Sequence, residues 1–580
     1  MAFHIPTISV ARRGRFAPSP WDGVALCLVA GVLALIVYGV RQMGGPIASV
    51  SAAQISLSPT DLPEYALRTT LRMFAALGAS LLFTFTYATA AAKSRRAEAV
   101  LIPILDVLQS VPVLGFLSFT VVGFMALFPG SVLGAECAAI FAIFTAQAWN
   151  MAFSFYQSLR TVPLDLDEAS RAFRLSAWQR FWRLEVPFAM PALIWNMMMS
   201  MSGSWFFIVA SEAISVGHTT ITLPGIGSYV ALAIEQRDLA AVGYAVGAML
   251  IVILAYDQLL FRPLVAWAQK FRSEEVAGQP MPGVWLLRVL NRARLVQLGL
   301  KPLARGVGAL ASRPMTLPQW QGTASPLRAR WFGRFWALMW WSAWTFVALL
   351  GLKALYSELH GHIGLAEIGE AFWLGLMTLT RVIVLVVLAS IVWVPIGVWI
   401  GLRPRWAMRM QLVVQIMAAF PANLLFPAAV VGILHFDLNP NIWLSPLMIL
   451  GTQWYILFNV IAGASAFPND LRDAAANFRV GGRHWWFKVM LPGIFPYFVT
   501  GGLTATGGSW NASIVAELVI WGQTRLEAQG LGSYIAKATM AGDYPRIILG
   551  VMVMAVFVTF FNRLFWRPLN AFAERRLRMN

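Results

Sequence analysis

Long apolar stretches alternate along most of this 580-residue chain with short breaks that are basic or rich in Pro, Gly and Ser. About twenty apolar residues cross a bilayer as a helix, because only a helix or a closed barrel satisfies the backbone in lipid. On that rule the first half holds spans near Val24–Val40, Leu67–Ala92, Val100–Leu127, Leu133–Tyr156, Pro187–Ile214 and Ala240–Leu260. The third contains Pro103 and Pro112 and is expected to be kinked or broken, because proline removes a helical hydrogen bond. The second half holds spans near Trp336–Leu352, Ala371–Leu402, Gln411–Leu434, Trp443–Ala466, Pro492–Ile520 and Arg546–Phe565. The pattern predicts an all-α polytopic membrane protein with about twelve transmembrane helices, arranged as two tandem six-helix halves.

Composition supports that class. Hydrophobic residues make up 58% and charged residues 12%, and the mean hydropathy is +0.66. The net charge of +18 lies between the spans. It is read as the Lys/Arg excess of cytoplasmic loops rather than as a nucleic-acid surface. Lys93, Arg95 and Arg96, and their counterparts Arg403, Arg405 and Arg409, mark cytoplasmic turns. So do Arg262, Lys270 and Arg272. An even number of spans places both termini in the cytoplasm, in accord with the basic arm over residues 1–20 and the tail at Arg575, Arg576 and Arg578. The first apolar run has no small-residue cleavage site and reads as a span rather than a signal peptide. Cys27 and Cys137 both lie in apolar runs, so neither a disulfide nor a thiolate metal site is expected. The organisation reads as a basic arm (1–20), a first half (21–269), a cytoplasmic linker (270–330) and a second half (331–580). Val284–Leu298 in the linker mixes apolar residues with Arg288, Arg292 and Arg294. It fits either an interfacial helix on anionic lipid or a solvated connector.

The halves are copies. Pro163–Pro191 and Pro468–Pro496, 305 residues apart, align without a gap. Pro163, Asp165, Leu166, Ala169, Phe173, Arg174, Pro187 and Pro191 each meet an identical residue, and Glu168 meets Asp473. At the same offset Gly203-Ser-Trp205 meets Gly508-Ser-Trp510, Glu212 meets Glu517, and Gly225-Ile-Gly-Ser-Tyr229 meets Gly530-Leu-Gly-Ser-Tyr534. Asp238 and Arg262-Pro-Leu264 also recur, at Asp543 and Arg567-Pro-Leu569. A run this long at one offset is an internal duplication. Because each copy begins and ends on the same side, the repeat is parallel, with a path expected between the halves.

The duplicated polar stretch resembles the EAA loop of ATP-binding-cassette importer permeases. Glu168-Ala-Ser170 and Asp473-Ala-Ala475 hold the acidic-Ala-small start, and Val186-Pro187 and Leu491-Pro492 hold the end. The resemblance implies a fused type I importer permease, similar to the nitrate/sulfonate/taurine group, over about 65–265 and 370–570. It also implies two short helices per loop that dock on an ATPase dimer. Residues Asp165, Glu168, Ala169, Ser170 and Arg174 would couple in the first copy, and Asp470, Asp473, Ala474, Ala475, Arg479 and Gly481 in the second. The family's turn glycine is Arg174 and Arg479 here, so the turn is expected to shift to Leu175-Ser176 and Val480-Gly481-Gly482. The implied mechanism is alternating access at the inner membrane, with solute delivered by a periplasmic binding protein.

No chemistry of catalysis is visible. The chain has no G-x-x-x-x-G-K-[ST], no H-E-x-x-H and no G-x-S-x-G, so ATP hydrolysis would belong to another polypeptide, and no cofactor or metal is implied. Ser202, Trp205, Thr506, Trp510 and Asn511 lie on the span after each loop, where they either line the path or pack helices. Glu212 and Glu517 are costly at membrane depth. They fit a gate beside the path, or helix-end carboxylates paired with an Arg or with backbone amides. Glu358, His360 and His362 suggest a solvated loop more than a metal site. The Gly-x-Gly-Ser-Tyr segments, read as turns, are similar to a Gly-Leu-Gly-Tyr turn of nitrate/sulfonate/taurine-type permeases, and that resemblance implies a small oxyanion such as a sulfonate, nitrate or bicarbonate. A fused ferric-iron or thiamine permease is the rival within transport, and a membrane scaffold or sensor that binds an ATPase is the rival outside it.

Overall fold

The computed structural model describes residues 55–216, 219–271 and 326–576, with isolated positions in 23–38 and 286–314. Most of the first expected span and most of the linker lie outside the described residues. Leu286, Val289 and Ala293 are buried linker positions, the first two helical.

The first half runs α1 (Pro59–Lys93), α2 (Arg95–Ser110), α3 (Val113–Leu127), α4 (Val132–Arg160), α5 (Leu164–Ala172) and α6 (Ala177–Glu212). The hairpin β1–β2 (Ala213–Val216, Thr219–Thr222), α7 (Ile226–Glu235) and α8 (Leu239–Ala268) follow. The second half runs α9 (Pro326–Leu359), α10 (Leu365–Gly401), α11 (Pro404–Ala419), α12 (Ala422–His435), α13 (Pro440–Leu450) and α14 (Gln453–Ser465). Then come α15 (Asn469–Asn477), α16 (Gly482–Ala516), the hairpin β3–β4 (Leu518–Trp521, Thr524–Glu527), α17 (Leu531–Ala541) and α18 (Tyr544–Ala573). Among the described residues, seven helices are long and apolar enough to cross a membrane, or up to nine if the two bent pairs α11/α12 and α13/α14 each make one span. The chain is an all-α polytopic membrane protein. The expected seventh span falls inside α9, and the expected third divides into α2 and α3 at Val111–Pro112.

Local chemistry fixes the helix starts. Ser94, Ser131 and Asp238 accept backbone N–H groups at the starts of α2, α4 and α8, as caps must when the first turn has no intrahelical partner. Ser176 and Gln179 form a capping box at the start of α6. The fifth and eleventh spans end earlier than expected, at Glu212 and Ala516 rather than Ile214 and Ile520. The segments that follow, rich in β-branched residues, pair as antiparallel hairpins, Ile214 opposite Ile221 and Val519 opposite Leu526. The second hairpin turns at Gly522, where φ is +59° and a Cβ would lie 2.2 Å from Arg237 Nε. The backbone there donates to Ile234 O at 3.0 Å, joining the hairpin to the first half.

Among the described residues two large hydrophobic cores form, one mainly in each half, and they exchange residues. Val113, Leu114, Leu117 and Val121 of α3 pack into the second half's core. Ala419, Phe420 and Leu424, at the α11/α12 break, pack into the first. Pro112 and Pro421 set both exchanges by ending the helix before them, so that the chain turns across the midline. Side chains seal the crossings. Asn511 Oδ1 accepts Val113 N–H at 2.8 Å, and Asn423 Nδ2 donates to Phe206 O at 3.3 Å.

Candidate functional site

Each duplicated polar stretch folds as a short exposed helix, a tight turn and a second short helix that continues into a span. In the first copy Asp165, Glu168 and Ala169 are exposed, whereas Ser170 is buried and donates to Asp167 O. In the second, Asp470 and Asp473 are exposed, Ala474 half-buried and Ala475 buried. Thus the third position of each acidic-Ala-small triplet faces the protein and the acids face outward. Asp167 pairs with Arg171 and Arg180. Phe173 and Phe478, alike in both copies, are 79% and 82% exposed.

The turn does not shift as the sequence suggested. Arg174 and Arg479 themselves adopt left-handed φ values of +50° and +51°. The bonds around them are those of a glycine-ended helix. Leu175 N donates to Ser170 O and Arg174 N to Arg171 O; Val480 N and Arg479 N repeat the pair on Ala475 O and Ala476 O. These paired bonds hold the arginines in a conformation that favours glycine by about 1–2 kcal/mol. Gly481 is extended and exposed beyond the turn.

From these loops α6 and α16 rise to a cavity of about 80 Å³ between the halves. Ser202, Gly203, Phe206 and Phe207 of α6 and Gly508 and Ala512 of α16 line it. So do Ala418, Phe420 and Ala422 at the α11/α12 break, and Leu447, Met448, Gly451, Thr452 and Tyr455 of α13 and α14. No charged side chain is among them. Of the expected path residues, Ser202 therefore faces the cavity and Asn511 ties the halves together. Trp205 and Trp510 turn into their own cores, against Tyr256 at 5.8 Å and Phe557 at 6.3 Å between ring centroids. Thr506 is buried and bonds back to Gly502 O.

Glu212 and Glu517 lie inside their halves, away from the cavity lining. Glu212 Oε1 accepts from Thr69 Oγ1 and Arg72 Nη1, both at 2.7 Å, and Oε2 accepts Gly227 N–H at 2.7 Å. Arg72 also makes a two-pronged pair with Glu136, at 2.6 and 2.7 Å, and donates to Pro224 O. Arg72, Glu136 and Glu212 are 0%, 2% and 0% exposed. In the second half Glu517 accepts from Thr378 at 2.8 Å, Arg381 at 3.0 Å, and the backbone of Gly532 and Ser533. The Gly-x-Gly-Ser-Tyr segments are consequently helix starts rather than turns. Gly225 and Gly530 are extended, and a Cβ on either would meet the glutamate carboxyl at 2.4 Å or less. The glycines make room for the carboxylates. The sequence reading missed Arg72, Arg381 and Glu136. Their signal is Thr69-x-x-Arg72 against Thr378-x-x-Arg381, 309 residues apart, four off the register of the rest. Among the described residues no group of three metal-ligating side chains forms.

Two copies of one helical unit, each with an exposed two-helix loop built onto a helix that lines a central cavity, define a fused membrane permease. The chain belongs to the family of the binding-protein-dependent transport system inner membrane component, whose pattern matches twice, over residues 82–261 and 393–578. Among curated relatives, the bicarbonate transport system permease protein CmpB of Synechocystis sp. is 30% identical over 181 residues, 31% of this chain and 61% of that protein. The nitrate import permease protein NrtB of Leptolyngbya laminosa is 25% identical over 185 residues, 32% of this chain and 63% of that protein. The glycine betaine/proline betaine transport system permease protein ProW of Escherichia coli is 27% identical over 224 residues, 39% of this chain and 58% of that protein. The chain thus spans less than two thirds of the length of each of these relatives.

Proposed function

We propose that this chain is the permease subunit of an ATP-driven importer in a bacterial inner membrane, with both termini cytoplasmic. It moves a small oxyanion such as bicarbonate, nitrate or a sulfonate by alternating access. A separate ATPase dimer docks on the two loops, and a periplasmic binding protein delivers the solute. The observation that supports this most is continuity. Each loop's second helix runs without interruption into a helix lining the inter-half cavity, over Ala177–Glu212 and Gly482–Ala516. A displacement of either loop's second helix is therefore carried to the cavity wall as a rigid rotation. Phe173 and Phe478 are the docking knobs, and Glu168 and Asp473 flank them.

An anion in the cavity would meet the hydroxyls of Tyr455 and Thr452, and no cation. That lining, with Phe206, Phe207 and Phe420, gives a specific second reading: a quaternary ammonium solute held by ring faces, of the kind named for the betaine-transporting relative.

The test has two arms. The tagged chain is purified gently from its native membrane beside Glu168→Arg/Asp473→Arg and Phe173→Asp/Phe478→Asp variants. A co-purifying ATPase that both variants lose supports docking; its absence from the unmodified chain ends the docking reading. Vesicles with the recovered partners are then given labelled bicarbonate, nitrate, taurine or glycine betaine. ATP-dependent uptake of an oxyanion is the expected outcome, and uptake of betaine alone moves the assignment to the second reading.

A further inference from the structure

The two loops differ in what holds them. In the first, the linker between the halves comes back to touch the start of α6. Residues 308–312 of the linker are helical, and Ser312 Oγ bonds back to Gly308 O. Three side chains of the first loop meet the C-terminal end of that turn. Trp178 Nε1 donates to Leu310 O at 2.9 Å, and Gln179 Nε2 donates to Ser312 O at 2.8 Å. Arg183 Nη2 donates to Ser312 Oγ at 2.8 Å. The last carbonyls of a helical turn carry partial negative charge and keep acceptor capacity, so the Trp178 and Gln179 N–H groups suit them, and the Arg183 cation suits the same negative end. Gln179 is used at both ends of its amide. Its Oε1 accepts Ser176 N–H in the capping box while its Nε2 reaches the linker.

None of this chemistry is repeated 305 residues on. Trp178, Gln179 and Arg183 are replaced by Arg483, His484 and Lys488, and Ser176 by Gly481. No capping side chain is present at Gly481, and the next residue, Gly482, has φ +58°. Among the described residues no hydrogen bond joins Arg483, His484 or Lys488 to another element. The first loop is capped and bound; the second is jointed by two adjacent glycines.

We infer that the inter-half linker is an intramolecular partner of the first loop, bracing the α5–α6 joint so that the chain offers its ATPase one rigid dock and one compliant dock. The functional consequence rests on the docking role proposed above; the brace itself does not. With the brace in place, motion at the first loop passes directly to α6, while the second loop follows its ATPase subunit through the glycine joint before α16 moves.

Hydrogen exchange on the full chain in lipid nanodiscs, without any ATPase, tests the brace alone. Amides of 177–185 are expected to exchange at least ~10-fold more slowly than those of 482–490, since three added hydrogen bonds shift local opening by that order. A Trp178→Arg/Gln179→His/Arg183→Lys variant, which gives the first loop the second loop's residues at the three contact positions, is expected to remove most of the difference, the rest being set by Ser176 and the glycines. Ser312→Ala, which deletes the Arg183 contact without touching the loop, is expected to remove part of it. Unchanged exchange elsewhere in the chain is the control for folding. Equal protection of the two loops in the unmodified chain, or protection that the triple change leaves undiminished, overturns the inference. ATPase co-purification is scored separately. A brace without a bound ATPase defeats the docking reading only, and a bound ATPase without the difference in exchange defeats the brace only.

Discussion

The halves solve one problem with two arrangements of charge. Each buries a glutamate at the end of its cavity-lining helix and meets it with an arginine one turn after a threonine. In the first half Arg72 is enclosed and answered by two carboxylates; in the second Arg381 is 16% exposed and answered by one. The cause is a single backbone group. Gln529 has an N–H, which Asn441 Oδ1 accepts at 2.9 Å, while its carbonyl accepts from Arg381. Its counterpart Pro224 has no N–H to satisfy. Where the second half has Asn441, the first has Glu136, free to grip Arg72 with both oxygens. One proline thus allows a second buried carboxylate 88 residues earlier in the chain, and the lesson is that duplicated positions drift in coupled sets.

That account can be broken most sharply at the arginines. Arg72→Met leaves two buried carboxylates without their cation and is expected to cost about 3–5 kcal/mol. Arg381→Met leaves Glu517 with Thr378 and two amides, and is expected to cost about 1–3 kcal/mol. Unfolding in mixed micelles measures both, and equal losses would end the distinction between the halves. Glu136→Asn installs the second half's residue in the first. It strips Arg72 of two bonds but keeps Glu212, so its expected cost is also about 1–3 kcal/mol, below that of Arg72→Met in the same assay.

A smaller effect is expected where the halves meet near the loops. Arg567 of α18 reaches Asp106 of α2 at 2.5 Å. Across the pseudo-symmetry axis Asp257 of α8 accepts from Arg262 and from Gln415 of α11. Gln415 stands where the other interface has Asp106, at the 309-residue offset, and Asn562 stands where it has Asp257, at 305. By sequence correspondence the two interfaces exchange carboxylate and amide, Asp106 and Asn562 on one side against Gln415 and Asp257 on the other. Asp106→Asn is expected to cost up to about 1 kcal/mol, as a partly exposed pair does. The exchange Asp106→Gln/Asn562→Asp, which copies the mirror interface, is expected to recover most of it in the same unfolding assay. The smallest expected effect is a gain. Arg174→Gly or Arg479→Gly relieves a left-handed arginine and should stabilise the loop by about 0.5–1 kcal/mol, seen as slower exchange at Leu175 or Val480.

The duplication, the order of spans and the two loops were all legible as patterns, because each is written in consecutive residues. The loop turn was misread. Glycine's absence suggested that the turn had moved, but the bonds from Leu175 and Val480 hold Arg174 and Arg479 in place. The role of Gly225 and Gly530 was misread for a related reason. Their need for space comes from Glu212 and Glu517, which reach them only after the hairpins fold the chain back. Arg72 stayed hidden because a gapless comparison at 305 residues cannot see a pair at 309.

The sequence by itself therefore determined the membrane class, the tandem halves and the place of the loops, since apolar length and a fixed offset are one-dimensional properties. Which side of each helix faces the cavity was decided only by tertiary structure. Spans that are apolar all round carry little periodic signal, so sequence does not say that Ser202 lines the cavity while Trp205, three residues on, faces the core. That choice was made when α3 and the α11/α12 break crossed the midline and packed into the opposite half, bringing together residues hundreds of positions apart.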